Sequence, residues 1–377
     1  VLDNPRVREA ACAIAGMSTA LGDMLVTHPQ WLHDYEEETD LDRAAFDREL
    51  DIRDGVAHVE WDEGVKILRH TYYRLLLTVA AKDLTSPSPV DNFPEVAATI
   101  SDLVDDALEG ALALARAVVP DSHLARLAII AMGKLGGREL NYISDVDVIF
   151  VAEPADPESL NNCDDGTAID EADILEIARK LASTVTNAVS GPGEGPPLWP
   201  LDANLRPEGK DGPLVRTLAS HLNYYERWAK DWEFQALLKA RHSAGDRELG
   251  EDYVRSVAPF VWSASQREHF VESSRRMRSR VENTISTRTA PRQIKLGAGG
   301  LRDVEFTVQL LQLVHGRVDE TLRVRTTLEA LAALKDGGYV SRTNADELDA
   351  HYRFLRTLEH QNARSEERRV GKEGRSR

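Results

Sequence analysis

Two short apolar runs separated by a glycine-rich segment restrict the possible folds of this chain more than any other feature. Residues 127–132 (LAIIAM) and 146–152 (VDVIFVA) are apolar and, in the second case, rich in β-branched residues. Both are too short for ordinary helices, so we predict two buried strands. Helical spacing of apolar residues dominates the rest of the chain. The sequence therefore predicts an α+β protein with a small mixed β-sheet among helices, flanked by mainly helical N-terminal and C-terminal segments.

The helical patterns have clear start and stop signals. One predicted helix covers residues 61–84 and is broken by the proline-containing segment 86–89, and a second covers 93–118 before Pro120. A third predicted helix covers 169–189, with Asp170 as N-cap and Gly191 as stop. Residues 198–205 are a candidate third strand, and from residue 220 to about 360 the pattern is helical again. We predict four units: a helical region (1–120), a catalytic core (121–255), a second helical region (256–362) and a tail that is disordered or foreign to the fold (363–377).

Length and charge narrow the class of protein. A chain of 377 residues is long enough for two or three domains. Its net charge of −17 disfavours nucleic acid as a partner, and no apolar stretch is long enough to span a membrane. Cys12 and Cys163 are too few for a disulfide framework, no signal peptide is visible, and we expect a cytoplasmic protein. The chain starts at Val1 rather than Met, as expected of a fragment.

Two aspartates on the second predicted strand are the strongest candidates for chemistry. Asp145 and Asp147 are two residues apart, so a strand would point both to one face, away from Val146, Val148 and Phe150. Adjacent carboxylates repel each other, and a divalent cation removes that repulsion. The alternative is a strand end with two solvated aspartates. The preceding glycines favour the first interpretation.

The glycine-rich segment between the strands suggests an anion-binding turn. Gly133, Gly136 and Gly137 allow backbone N–H groups to approach an anion closely. A glycine turn followed by Asp-x-Asp on a strand is typical of metal-dependent nucleotidyl transfer, in which a third carboxylate is required. Asp202, in the third strand-like segment, is the candidate. Two metal ions held by such a triad can clamp the attacking and leaving oxygens at phosphorus.

Several cations follow closely and are candidate phosphate ligands. We single out Arg206, Lys210, Lys239 and Arg241, with Ser144 as a further polar contact. Acidic neighbours nearly cancel their charge, so a solvated face of mixed sign is the alternative for each of them. The chain contains no P-loop, no dinucleotide-binding glycine motif, no zinc-protease motif and no serine-hydrolase elbow.

Four ordered blocks carry a resemblance to a known family. They are residues 133–150 (GKLGGRELNYISDVDVIF), 205–215 (LRPEGKDGPLV), 232–241 (WEFQALLKAR) and 294–306 (IKLGAGGLRDVEF). Together they resemble glutamine synthetase adenylyltransferase, also called glutamate-ammonia-ligase adenylyltransferase, over about residues 60–360. The sequence around Asp202 is similar to that of actinobacterial members of the family. Ile143 and Asn204 depart from the usual pattern, at positions where the family has a serine and an arginine.

The resemblance implies an activity and a direction of reaction. Enzymes of this family carry two similar halves, one that attaches AMP to a tyrosine of glutamine synthetase and one that removes it by phosphorolysis, releasing ADP. Arg302, which follows the Gly299-Gly300 pair, is similar to the removing half. We therefore expect a deadenylylating nucleotidyltransferase; the attaching reaction from ATP and a non-catalytic docking module are the alternatives.

The resemblance also implies cofactor, partners and site residues. Asp145, Asp147 and Asp202 are expected to hold Mg²⁺, with Glu305 as a further ligand or as an ordinary helical surface residue. Glutamine synthetase, ADP or ATP, inorganic phosphate and a nitrogen-signalling regulator are the expected partners. Arg302 joins the candidate phosphate ligands named above.

Overall fold

The computed structural model describes residues 3–37, 43–156, 170–283 and 293–373, without the side chains of 281–283 and 362–373. Most of the described residues are helical, and the strands of the main sheet lie between residues 125 and 245. The α-helices are α1 (Pro5–Met17), α2 (Thr19–Thr27), α3 (Leu32–Glu36), α4 (Ala44–Glu49), α5 (Trp61–Leu84), α6 (Pro89–Val118), α7 (Gly133–Gly136), α8 (Glu171–Ser190), α9 (Leu218–Arg227), α10 (Asp231–Leu237), α11 (Arg247–Ser263), α12 (Phe270–Asn283), α13 (Leu301–His315), α14 (Thr327–Asp336) and α15 (Arg342–Glu373). The strands are β1 (Ile52–Arg53), β2 (Val56–Ala57), β3 (Ala125–Ala131), β4 (Val146–Pro154), β5 (Leu201–Asp202), β6 (Val215–Arg216) and β7 (Arg241–Gly245).

The predicted helices of the first half are confirmed. Helix α5 has the predicted bounds, and α6 starts at Pro89 rather than at residue 93 because proline is favoured in the first turn of a helix. Helix α8 has the predicted caps: the Asp170 carboxylate accepts the N–H of Asp173, and Gly191 follows the last helical residue. Ile169, where we placed the start of this helix, lies outside the described residues.

The main sheet is mixed, as predicted, and is built on the two apolar runs. Strands β3 and β4 are antiparallel, with Ala125 opposite Pro154 and Ala131 opposite Val148. Strands β5 and β6 both pair with β4 in parallel, and β7 is antiparallel to β3 on the other side. Strand β7 contradicts the prediction of continuous helix after residue 220. Its sequence, RHSAG, has little β propensity, and pairing with β3 decides its conformation.

The two faces of the sheet belong to different hydrophobic cores. Val148 and Phe150 of β4 pack with α5, α6 and α8, whereas Ile149 and Val151 pack with α9, α10 and α11. A third core joins α13, α14 and α15. The alternation along β4 therefore confirms that Val148 and Phe150 point away from the face of Asp147.

Four further predictions concern the boundary at residue 256, the tail, the two cysteines and a membrane span. The boundary predicted at residue 256 falls inside α11, which is continuous there. The tail predicted from residue 363 is helical to Glu373, because its Glu, Arg and Lys residues are good helix formers and no proline interrupts them. Cys12 is exposed, and Cys163 lies outside the described residues. Within the described ranges no helix has the length and apolar character needed to cross a membrane.

Candidate functional site

Strand pairing brings two of the three predicted aspartates together. Asp147 of β4 and Asp202 of β5 are directly opposite each other in a parallel register, next to the pair Val146 and Leu201. Side chains at paired positions of neighbouring strands point to the same face of the sheet. Asp145 is exposed and immediately precedes β4. Two carboxylates from distant parts of the sequence thus share one edge of the sheet, with a third beside them.

The electrostatics of Asp147 show which charges surround it. Burial, and after it the charges of Asp202 and Asp145, raise the pKa of this carboxyl from its ordinary 3.8 to about 6. Lys295 and Arg302 act in the opposite direction. These five side chains are therefore close enough to interact, although they come from three separate parts of the sequence.

The backbone at Gly133 lies directly against the Asp147 carboxylate. It has a φ of +52°, in the left-handed region that favours glycine. A Cβ atom at this position would lie 2.2 Å from Oδ2 of Asp147, where real Cβ atoms essentially never come closer than 3.0 Å. The backbone N–H of Met132 donates to the carbonyl oxygen of Asp147 at 2.9 Å. The first glycine of the turn is thus required by close approach to the aspartate.

The donor set at this edge fits a divalent cation. Neighbouring carboxylates repel each other, and a cation between them removes that repulsion. Mg²⁺ takes one or two carboxylates plus phosphate and water oxygens. One oxygen of Asp202 already accepts the N–H of Asn204 at 2.7 Å. Within the described part of the chain no group of three or more His, Cys, Asp or Glu side chains is arranged to hold a metal ion. The structure thus offers the pair Asp147 and Asp202 rather than a preformed triad.

Arg206, a predicted phosphate ligand, donates to main-chain oxygens in this structure. Its guanidinium donates to the carbonyl oxygens of Ala203 (2.8 Å), Gly212 (3.0 Å) and Pro213 (3.1 Å), and so closes the loop that follows β5. These bonds use the Nε–H and one N–H of each terminal nitrogen, so phosphate binding by Arg206 stays a prediction. Lys210 lies in the same loop and is exposed.

Lys239 and Arg241 are also engaged in structural ion pairs. Lys239 is buried, where it pairs with Glu139 and donates to Thr327. Arg241 forms a bidentate ion pair with Asp105 of α6, with N–O distances of 2.6 and 3.2 Å. In this structure each cation is thus paired with a carboxylate, buried Glu139 for Lys239 and partly buried Asp105 for Arg241, and phosphate binding by either one stays a prediction.

Gly136 and Gly137, the later glycines of the turn, are hydrogen-bonded within the turn. The N–H of Gly136 donates to Met132 and that of Gly137 donates to Gly133, so neither is available to an anion. Both glycines pack against Lys239, whose carbonyl oxygen leaves no room for a side chain at Gly136. The anion-binding role of these two positions stays a prediction. Ser144 is partly exposed beside Asp145.

Helix α13 brings one predicted residue to the site and keeps another away from it. The charge of Arg302, in the first turn, lowers the pKa of Asp147. The guanidinium carbon of Arg302 lies 5.7 Å from the ring centroid of Phe306. Glu305 accepts a hydrogen bond from Tyr352 of α15 at 3.4 Å and is thus held between helices. The structural interpretation of Glu305 is favoured over a metal ligand.

Sequence reasoning missed two lysines near the site. Lys295 belongs to the fourth block but was given no role, and Lys134 follows Gly133 directly. Burial lowers the pKa of Lys134 to about 8, and Glu359 of α15 pairs with it at 2.9 Å. The position of a lysine inside a glycine-rich block was the signal that could have identified both residues.

The C-terminal helices hold the end of the glycine turn. Glu139 is buried and accepts the backbone N–H of Thr327 at 2.7 Å, while its own carbonyl oxygen accepts from Arg356 of α15. Gln235 of α10 donates to Gln309 of α13 at 2.8 Å. Elements from three parts of the chain are therefore needed to build this site.

The fold and the site define a class of protein. A small mixed sheet with paired carboxylates beside a glycine turn, surrounded by helices, is a nucleotidyltransferase-like α+β arrangement. The family model for glutamate-ammonia ligase adenylyltransferase matches residues 9–256, and that for GlnD PII-uridylyltransferase matches residues 269–368. The chain belongs to the glutamate-ammonia ligase adenylyltransferase family, as its sequence blocks indicated.

Curated relatives agree with this assignment. Bifunctional glutamine synthetase adenylyltransferase/adenylyl-removing enzymes are similar to the chain: that of Streptomyces avermitilis is 49% identical over 94% of this chain and 34% of the relative. The one from Cutibacterium acnes is 46% identical over 96% and 36%, and that from Leifsonia xyli subsp. xyli is 51% identical over 81% and 30%. The chain spans about a third of the length of the curated relatives it matches.

Proposed function

We propose that this chain removes AMP from a tyrosine of adenylylated glutamine synthetase by phosphorolysis. The observation that carries the proposal is the pair Asp147 and Asp202 on adjacent strands, facing Lys295 and Arg302. This arrangement combines carboxylates for a divalent cation with cations for phosphate oxygens, which is what transfer at phosphorus requires. The names of the relatives supply the protein substrate.

The proposed reaction is a displacement at the AMP phosphorus. An oxygen of inorganic phosphate forms a bond to that phosphorus, and the bond from phosphorus to the tyrosine oxygen breaks. The tyrosine leaves as a phenolate that then takes a proton, and ADP is the nucleotide product. Because the pKa of the leaving phenol is about 10, little acid catalysis is needed.

The residues of the chain have separate roles in this reaction. Asp147 and Asp202 would hold Mg²⁺, with Asp145 beside them, and the ion when bound supplies charge stabilisation at the phosphoryl oxygens. Lys295 and Arg302 orient the attacking phosphate and offset its charge. Gly133 leaves the room that the Asp147 carboxylate occupies.

Direction rests on Arg302 and on nothing else in the chain. The relatives are named for both activities, so the attaching reaction from ATP is the competing function. Longer relatives also contain more sequence than this chain, and the match at 269–368 supports a nitrogen-signalling regulator as a partner of the longer protein. We expect a cytoplasmic location, in keeping with such a substrate.

One incubation separates the candidates. The chain is mixed with adenylylated glutamine synthetase, Mg²⁺ and phosphate, and the nucleotide product is identified. ADP supports phosphorolysis, whereas free AMP means that water attacks. Incorporation of label from ATP into unmodified glutamine synthetase means that this is the attaching half. Binding without turnover in both directions identifies a docking module.

The role of Arg302 has its own test within this assay. Arg302→Ala should raise the KM for phosphate while the KM for the protein substrate stays the same. If the variant loses stability but its folded fraction keeps a normal KM for phosphate, Arg302 only packs the start of α13.

A further inference from the structure

A basic, aromatic cleft lies outside the site described above. It has a volume of about 610 Å³ and lies between the segment joining α9 to α10 and the helix α12. None of the residues with a proposed catalytic role lines it. Its walls include Trp228, Lys230, Trp232, Arg267, Arg276 and Arg280.

The charge of the cleft is opposite to that of the chain. Four cationic side chains line it, and Asp231 is the carboxylate among its lining residues. Asp231 is already paired with Arg267 at 2.9 Å. Arg276 and Arg280 are exposed, lie one helical turn apart, and form no ion pair within the described ranges. In a chain with a net charge of −17, such a patch attracts an acidic partner locally while the rest of the surface repels it.

An exposed tryptophan forms the rim of the cleft. Trp228 is 73% exposed although it follows directly on α9, where its backbone N–H donates to Tyr224 at 2.8 Å. A large aromatic side chain on a fixed backbone and mostly in water is typical of a contact site for another molecule. Arg267 is held in place over the ring of Phe234, 5.1 Å from its centroid.

The helix that forms one wall is tied to the cationic part of the proposed catalytic site. Arg278 of α12 pairs with Asp303 and donates to the carbonyl oxygens of Leu296 (3.3 Å) and Gly297 (3.4 Å). The segment it contacts lies between Lys295 and Arg302. The interactions of Arg278 therefore connect the cleft wall to the segment that carries the proposed catalytic cations.

We propose that this cleft docks an acidic segment of the protein substrate, with an apolar or aromatic side chain of that segment against Trp228. The inference rests on the proposed function, in which a modified tyrosine must be presented by a whole protein. The cations are spread along an open helix face and Trp228 stands at the rim, which suits an extended peptide segment better than an enclosed nucleotide base.

The test measures the activity of one charge-reversed double variant toward two substrates. The double variant Arg276→Glu/Arg280→Glu is assayed with adenylylated glutamine synthetase and with a short, uncharged peptide carrying adenylylated tyrosine. The KM for the protein should rise at least ~10-fold and lose most of its dependence on salt, while kcat and the peptide KM stay unchanged. Arg247→Glu/Arg255→Glu on α11 is the matched control, because it changes the net charge equally at exposed positions away from the cleft.

Other outcomes overturn the inference. An unchanged protein KM means that the cleft does not dock the substrate, and an equal loss with both substrates means that α12 acts only through the catalytic segment. If ADP quenches the fluorescence of Trp228 in the wild type but not in the double variant, and the KM for the protein substrate is normal in both, the cleft is a nucleotide site instead. If wild type turns over neither substrate, the proposed function fails. Docking is then judged by salt-dependent binding to immobilised glutamine synthetase, which only the cleft variant should lose.

Discussion

Replacing Gly133 with alanine should damage the catalytic aspartate directly. The added Cβ atom would lie 2.2 Å from Oδ2 and 3.1 Å from Cγ of Asp147, and real Cβ atoms keep at least 3.0 Å from such neighbours. The carboxylate must therefore retreat by roughly 1 Å or turn away. Its position relative to Asp202, the residue opposite it on β5, is then lost even if the strand register is kept.

The size of the effect follows from two separate costs. The φ of +52° disfavours an L-residue by roughly 1–2 kcal/mol, which lowers the free energy of unfolding. A misplacement of ~1 Å at a reacting group reduces turnover by about 10²-fold. Activity should therefore fall much further than stability does.

A second glycine supplies the control. Gly338 has a φ of +75°, and a Cβ atom built there has no neighbour within 4 Å. Gly338→Ala therefore carries the backbone strain without moving any aspartate. Both variants are compared with wild type by thermal unfolding and by kcat for release of AMP from glutamine synthetase, under saturating Mg²⁺ and phosphate.

Two results would refute the reasoning. If Gly133→Ala keeps more than about a third of wild-type kcat, the position of Asp147 next to Gly133 does not matter for catalysis. If Gly338→Ala loses as much activity as Gly133→Ala at equal stability, the loss comes from backbone strain alone.

Three further predictions follow from the charges of the site. Asp147→Asn should abolish turnover but raise the free energy of unfolding above pH 6 by about 1–3 kcal/mol. The reason is the raised pKa of Asp147, because of which the wild type loses stability as pH increases from about 4 to 6. Thermal melts of wild type and variant at pH 5 and pH 8 measure this, and a difference between the two proteins that is equal at both pH values would contradict it. Millimolar Mg²⁺ with ADP should raise the melting temperature of the wild type, and Asp202→Ala should reduce that increase; an indifferent wild type would count against the metal site. Lys239→Met should lower the free energy of unfolding by about 3–5 kcal/mol, because Glu139 is left buried and unpaired, and adding Glu139→Gln should restore part of it. A single variant as stable as wild type in urea would show that the pair is dispensable.

The candidate site was only partly readable in the sequence. Asp147 was identifiable because strand periodicity, apolar neighbours and a preceding glycine turn all apply to one short segment, and Asp202 because a third carboxylate was required nearby. The hydrogen bonds of Arg206 and the ion pairs of Lys239 and Arg241 could not be predicted. A cation that binds a phosphate and one that neutralises a carboxylate have the same sequence signature, and Asp105 and Glu139 lie far from their partners along the chain.

The sequence by itself determined the helices with strong caps, the two central strands and the face on which Asp147 lies, because these depend on local propensity and on the alternation of side chains. Only the tertiary structure decided that RHSAG forms β7, that Glu359 of α15 pairs with Lys134, and that Lys295 reaches Asp147. Each of these depends on contacts between residues at least 100 positions apart in sequence. No local pattern encodes such contacts, because their free energy exists only once the sheet and the C-terminal helices have packed together.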